Sequence, residues 1–304
     1  MAAVSPAAER ADRFALPALV LGSIFIGASP IFVRLSELGP LATAFHRVLW
    51  ALPPLYLWMV LSRRGVATAP VLPPADWARL ALCGLLFAGD LTFWHWSILR
   101  TTVANATLFA NFSPIIVTLG AWLILKEKIG RGFILGMLLA LVGAGMLVGS
   151  SFELGRDHVI GDLFGLITAL FFGSYMIGIA SLRSQLGTAT IMFWSSLVTC
   201  LALLPIAWAG GESLMPQSFK GLAVLIGLAW VSQAAGQGLI AYALGHLPAA
   251  FSSLVILIEP LTAAVLGWVL LAEYLGPLQA AGAVVVLAGI VVARRATQTR
   301  MTAT

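Results

Sequence analysis

The chain has 304 residues, 60% of them hydrophobic and only 10% charged, and its mean hydropathy is +1.00. Average soluble domains carry about 25% charged residues, so this composition excludes a soluble enzyme or binding module and indicates an integral membrane protein. The net charge is +5, but Lys and Arg lie between apolar segments rather than in one patch, which marks them as topology signals and argues against a nucleic-acid partner.

A bilayer-crossing helix needs about 20 mainly apolar residues. That window predicts ten, at 14–34, 40–62, 77–99, 102–125, 132–150, 161–182, 188–209, 219–244, 247–271 and 277–293. The first follows Arg10 and Arg13 as a signal peptide would, but Phe25 and Gly27 pair with Phe171 and Gly173 of the sixth, so it is expected to be retained. The second span contains His46 and Arg47. The third has Asp90 at mid-span, with Trp94 and Ser97 on the same helix face; His95 and Trp96 turn away from it. The fourth holds Asn105, Asn111 and Pro114, and the sixth Tyr175. Gln233 and Gln237 flank Gly236 in the eighth, and Glu259 precedes Pro260 in the ninth.

Cys83 and Cys200 sit in separate apolar spans, which supports neither a disulfide framework nor a metal site; no cofactor is expected. The longest polar interval, Ser150 to Asp162, with Glu153, Arg156, Asp157 and His158, reads as a surface loop. Function is therefore expected within the bundle.

Basic residues set the orientation. Arg10, Arg13, Arg63, Arg64, Arg79, Lys126, Lys128, Arg131, Arg183, Arg294, Arg295 and Arg300 fall at one set of span ends, and Arg34, Arg100, Arg156 and Lys220 at the other. Twelve against four predicts that both termini are cytoplasmic. Trp77, Trp208 and Tyr274 fall near span ends, where amphipathic rings favour the headgroup region.

The two halves repeat each other at an offset of 146 residues. Without a gap, Pro114 meets Pro260, Trp122 meets Trp268, Leu125 meets Leu271 and Glu127 meets Glu273. Gly130, Gly136, Leu141 and Gly143 then meet Gly276, Gly282, Leu287 and Gly289; Leu108 meets Leu254 further back. A unit with five crossings inserts its copy upside down, and inverted repeats are the signature of secondary transporters.

Segments 111–145 and 257–291 resemble the two EamA-type repeats of the drug/metabolite transporter superfamily. Each has a mid-span Pro, an apolar run, a Glu at the span end and a last helix with Gly at seven-residue spacing. The resemblance covers essentially the whole chain. It implies an all-α integral membrane fold of ten helices, as two inverted five-helix repeats around a central cavity: a tail at 1–13, repeats at 14–150 and 151–293, and a basic tail at 294–304. It further implies a bacterial inner-membrane exporter, with amino acids and related metabolites, aromatic amino acids among them, as the nearest substrate class.

Residues shared by both halves are read as architecture. Gly136, Gly143, Gly282 and Gly289 let helix backbones approach, while Pro114 and Pro260 kink their spans and offer hinges. Glu127 and Glu273 are read as solvated span ends. Polar residues found in one half only are the substrate-binding candidates: Asp90 (counterpart Gly236), Glu259 (counterpart Ser113), Trp94, Ser97, Arg47, Gln233, Gln237, Asn105 and Tyr175. A carboxylate at membrane depth costs about 2.5 to 3.5 kcal/mol on insertion scales and normally faces the interior with a use. Two readings stand for Arg47: outward snorkelling, or pairing with Asp90 or a substrate carboxylate.

The reading that follows is a secondary-active or facilitative exporter of small metabolites, most plausibly amino acids, working by alternating access. A hydrophobic-cation or multidrug exporter is the alternative within transport, and a passive channel or scaffold the alternative outside it. No GxxxxGKS/T, HExxH or GxSxG sequence is present, so neither an ATP-driven pump nor an intramembrane enzyme has support. The partners expected are a small-molecule substrate and the lipid bilayer; two fused units complete a pathway within a monomer.

Overall fold

The computed structural model describes residues 6–62, 72–101, 103–148, 158–272 and 276–301, the side chains of 6–12, 103–105 and 299–301 excepted. The described residues form helices throughout. The first half comprises α1 (Pro6–Gly27), α2 (Ser29–Leu35), α3 (Pro40–Leu49), α4 (Leu52–Ser62), α5 (Pro74–Ile98), α6 (Val103–Ala110), α7 (Ser113–Leu123) and α8 (Arg131–Val148). The second comprises α9 (Val159–Arg183), α10 (Thr188–Ala209), α11 (Phe219–Gly227), a π-helical stretch Leu228–Gln237, α12 (Gly238–Ala243), α13 (Ala249–Val255), α14 (Ile258–Leu271) and α15 (Pro277–Met301).

Among the described residues, nine helical stretches of 18 to 25 residues are apolar enough to cross a bilayer. The expected third span is α5; it is 25 residues long but carries Asp76, Arg79, Asp90 and His95, which lower its hydropathy. The residues expected to be terminal tails are largely helical, since α1 begins at Pro6 and α15 runs on to Met301. Glu273, Tyr274, Arg63, Arg64, Glu153, Arg156 and Asp157 lie outside the described residues.

Polarity is distributed inside out relative to a soluble protein. Leu135, Leu201 and Val284 are more than 60% exposed, whereas Arg47, Asp90 and Gln233 are buried. Lipid solvates the first group; the second needs partners within the bundle. Several hydroxyl groups in the spans bond back to carbonyls four residues earlier, as with Thr92 to Ala88 (2.7 Å) and Ser195 to Ile191 (2.7 Å), so these add no unmet polar group.

The equivalent helices α8 and α15 form an extensive pair. A Cβ added to Gly136 would lie 2.7 Å from the Gly289 oxygen, and one added to Gly143 would lie 2.8 Å from the Gly282 oxygen. Rising numbers on one helix thus meet falling numbers on the other, so the two run antiparallel. Contacts elsewhere are exchanged between the halves in the same sense: α5 packs on α9, and α1 packs on the stretch from Leu228 to Ala243.

Four spans break near their middles. The first divides at Ala28 before Pro30, the second at Trp50 and Ala51 before Pro53, the fourth at Asn111 and Phe112 before Pro114, and the ninth at Ile256 and Leu257 before Pro260. Proline is the second residue of α2, α4 and α7 and the third of α14, within the first turn, where its missing N–H costs no helical bond. Such broken helices leave backbone ends at mid-span, which is tolerated where they line a cavity.

Candidate functional site

The breaks in the first, fourth and ninth spans surround a central cavity of about 90 Å³. Its charged lining residues are Arg47 from α3, Asp90 from α5 and Glu259 from α14. Around them lie Trp94, Phe87 and Phe172, and the polar side chains of Ser29, Thr107, Asn111, Ser113, Thr168, Gln237 and Ser253.

Arg47 is only 6% exposed. Its Nε donates to Oε1 of Gln233 (3.2 Å), and its guanidinium carbon lies 6.0 Å from the centre of the Phe87 ring, a cation–π distance. Among the described residues it forms no salt bridge with either carboxylate, although both lie within its electrostatic reach. Asp90, 8% exposed, and Glu259 likewise accept no hydrogen bond among the described residues. One guanidinium and two carboxyl groups therefore face the cavity without saturating one another.

Sequence reasoning placed Asp90, Trp94, Arg47, Gln237 and Glu259 among the candidates, and all five line the cavity. Gln233 stands behind it, fully buried, holding Arg47 and leaving its own Nε2 without a partner. Arg47 neither snorkels nor pairs directly with Asp90. Ser97 is a correction to the expected stripe: the helix carries it past the cavity, where it donates to the Gly161 carbonyl (2.7 Å) and ties α5 to α9. Tyr175 is also not a lining residue; it is buried against Phe87 with ring centres 4.7 Å apart. The Asn105 side chain lies outside the description.

Ser29, Thr107, Ser113, Thr168 and Ser253 were missed, because isolated hydroxyls in apolar spans are usually satisfied by their own helix. Thr168, inside the unbroken α9, had no signal; that of the others was proximity to the breaks. The asymmetry at Asp90 has a packing reason. Its counterpart Gly236 must be small, since a Cβ there would lie 2.9 Å from Ile26 and 3.3 Å from the Gly22 oxygen of α1. In the first half the close approach shifts to Gly89, against Phe171, which frees position 90 for a carboxylate.

The model of the EamA-like transporter family matches residues 13–149 and again 159–295. The chain belongs to the EamA-like transporter family. Among curated relatives, the pseudopaline exporter CntI of Pseudomonas aeruginosa is 25% identical over 245 residues, 81% of this chain and 83% of its own. The uncharacterised transporter YwfM of Bacillus subtilis is 28% identical over 233 residues, 75% and 76% of the two chains. The uncharacterised inner membrane transporter YhbE of Escherichia coli K12 is 26% identical over 241 residues, 77% and 74%. A solved crystal structure aligns with a TM-score of 0.76 over 94% of this chain and 97% of its own; at 17% identity it speaks for the fold alone. This EamA-family chain is thus a multi-pass membrane transporter, and its relatives are transporters rather than enzymes.

In this family member, carboxylates from each half cap helices of the other half. Glu212 accepts from the backbone N–H groups of Leu41 (3.2 Å) and Ala42 (2.7 Å) at the start of α3. Glu127 accepts from Ala249 (2.6 Å) and Ala250 (3.3 Å) at the start of α13. Glu127 is therefore a cap between halves rather than the solvated span end its sequence position indicated.

Burial pushes the Glu127 carboxyl above its ordinary value of 4.5, outweighing the two backbone N–H groups that favour its charged form. A carboxyl with a raised folded pKa holds its proton more tightly in the folded than in the unfolded chain, so stability falls as pH climbs through that window. Glu127→Gln, which cannot ionise, is expected to have a flatter melting temperature against pH than the parent as pH rises above about 4.5. Parallel slopes in detergent melting curves would contradict this.

Proposed function

We propose that this transporter exports small zwitterionic metabolites, amino acids foremost, by alternating access around the central cavity. The observation that carries the reading is the pairing of an unsatisfied guanidinium with unsatisfied carboxylates in one cavity at the helix breaks. A guanidinium fork receives a substrate carboxylate with two parallel hydrogen bonds, and a carboxylate receives an ammonium. Trp94 and Phe172 offer apolar faces for the substrate's carbon skeleton. Arg47, Asp90, Trp94, Gln237 and Glu259 are the binding residues in this reading, with Gln233 positioning Arg47.

One observation weighs against export of drug-sized hydrophobic cations. The cavity, about 90 Å³, is small beside the roughly 300–1,000 Å³ of drug-sized sites.

The antiparallel packing of α8 on α15 supports ten crossings, α5 included, arranged as two inverted repeats, with Pro114 and Pro260 as hinges. In this arrangement both termini face the cytoplasm of a bacterial inner membrane, and one chain suffices. Tags placed after Lys128 and after Tyr274 should be modified from opposite sides; labelling from one side would contradict the inversion.

The substrate test is counterflow of labelled amino acids into proteoliposomes at two pH values, competed by unlabelled amino acids or by a quaternary ammonium. Competition by the quaternary ammonium alone would favour the cation exporter. Asp90→Asn is expected to lower the initial rate about tenfold or more, the loss of one charge-assisted bond, with an unchanged size-exclusion profile. A normal rate removes Asp90 from the site.

A further inference from the structure

Resting on the amino-acid reading above, we infer that the cavity is matched to substrates carrying one more positive than negative group, and diamino monocarboxylic acids are the chemical class that satisfies this. The argument is a count of charges. Three ionisable groups of opposite sign line the cavity, one guanidinium and two carboxylates. None saturates another through a salt bridge among the described residues, and the bond Arg47 makes to Gln233 uses only Nε.

The scaffold does not require these charges. At the 146-residue offset, Arg47 falls on Phe193, Asp90 on Gly236 and Glu259 on Ser113. In each case the other copy of the unit carries a neutral residue at the matching place. Charges withdrawn from water are costly unless they are compensated. A simple zwitterion would engage Arg47 and one carboxylate, leaving the other uncompensated. A substrate with two ammonium groups and one carboxylate engages all three.

The positions agree with a division of labour. Arg47 is held in place by Gln233, so its outer nitrogens remain for a carboxylate. Asp90 lies on α5 one turn before Trp94, and Glu259 lies on α14 at the ninth-span break, so the two carboxyl groups approach the cavity from different elements. The aromatic rings of Phe87 and Phe172 are the apolar surface available to the methylene groups between the substrate's nitrogens.

The experiment compares counterflow of 2,4-diaminobutyrate, ornithine and lysine with that of homoserine, norvaline and norleucine, using the full chain in proteoliposomes. The wild type should favour the diamino acids by at least about tenfold, and Glu259→Gln should erase or invert that preference. Glu259→Asp, which keeps the charge, should retain it. Equal or better flux of the neutral series in the wild type, or an unchanged ratio in Glu259→Gln, overturns the charge assignment while leaving the amino-acid reading intact. Absence of flux for every amino acid, with protein of normal size-exclusion profile, overturns both.

Discussion

Replacing Arg47 with methionine is expected to weaken substrate binding by about 30-fold to about 1,000-fold, the range for losing a buried charge-assisted contact of about 2–4 kcal/mol. Methionine preserves much of the apolar stem, so the loss reports on the guanidinium. Two things fail together. The substrate carboxylate loses its fork, and Gln233, fully buried with Nε2 already unpartnered, loses the donor to its Oε1. Arg47→Lys separates the two, since it keeps the charge but not the planar geometry or the Nε bond, and should recover only part of the affinity. The measurement is equilibrium binding of the transported amino acid to detergent-purified protein, alongside the melting temperature. If methionine leaves binding intact, Arg47 has a structural role only and the cavity does not read a carboxylate.

The second large effect is on folding. In Gly143→Val, the new Cβ would stand 2.5 Å from the backbone nitrogen of Val286 and 2.8 Å from the Gly282 oxygen. Both are backbone atoms of a packed helix and cannot rotate aside as a side chain would. Overpacking of this kind costs about 1–3 kcal/mol or more, so the melting temperature should fall by roughly 4–10 °C, or folded protein should be lost altogether. Gly145 lies in the same helix and supplies the control, because a Cβ there meets nothing within 4 Å. Gly145→Val is expected to melt with the parent. A similar melting point for both variants would mean that α8 and α15 do not depend on backbone contact.

Much of the fold was legible in the sequence because the bilayer enforces a simple code. Apolar runs of membrane length located the nine apolar spans to within a few residues, and the repeated Pro, Gly and Glu positions marked a duplicated unit that the family match independently covers twice. Half-specific polar residues pointed toward the cavity for a physical reason: the copied scaffold explains what both halves share, so a carboxylate present once, as at Asp90 or Glu259, needs another cause. The same logic was weaker for Ser97 and Tyr175, where helical spacing predicted a shared face but not which neighbour that face would meet. Ser97 met a carbonyl of α9 and Tyr175 met Phe87.

Composition and periodicity alone determined that this chain is a membrane bundle of two related halves with ionisable groups at mid-span, because each of those properties is local or repeats at a fixed offset. Tertiary structure alone decided which charges share a cavity, that Gln233 rather than Asp90 holds Arg47, and that Glu127 and Glu212 cap helices of the opposite half. These contacts join residues more than a hundred positions apart, and their partners are chosen by how helices cross, which depends on the whole packed set rather than on any one segment.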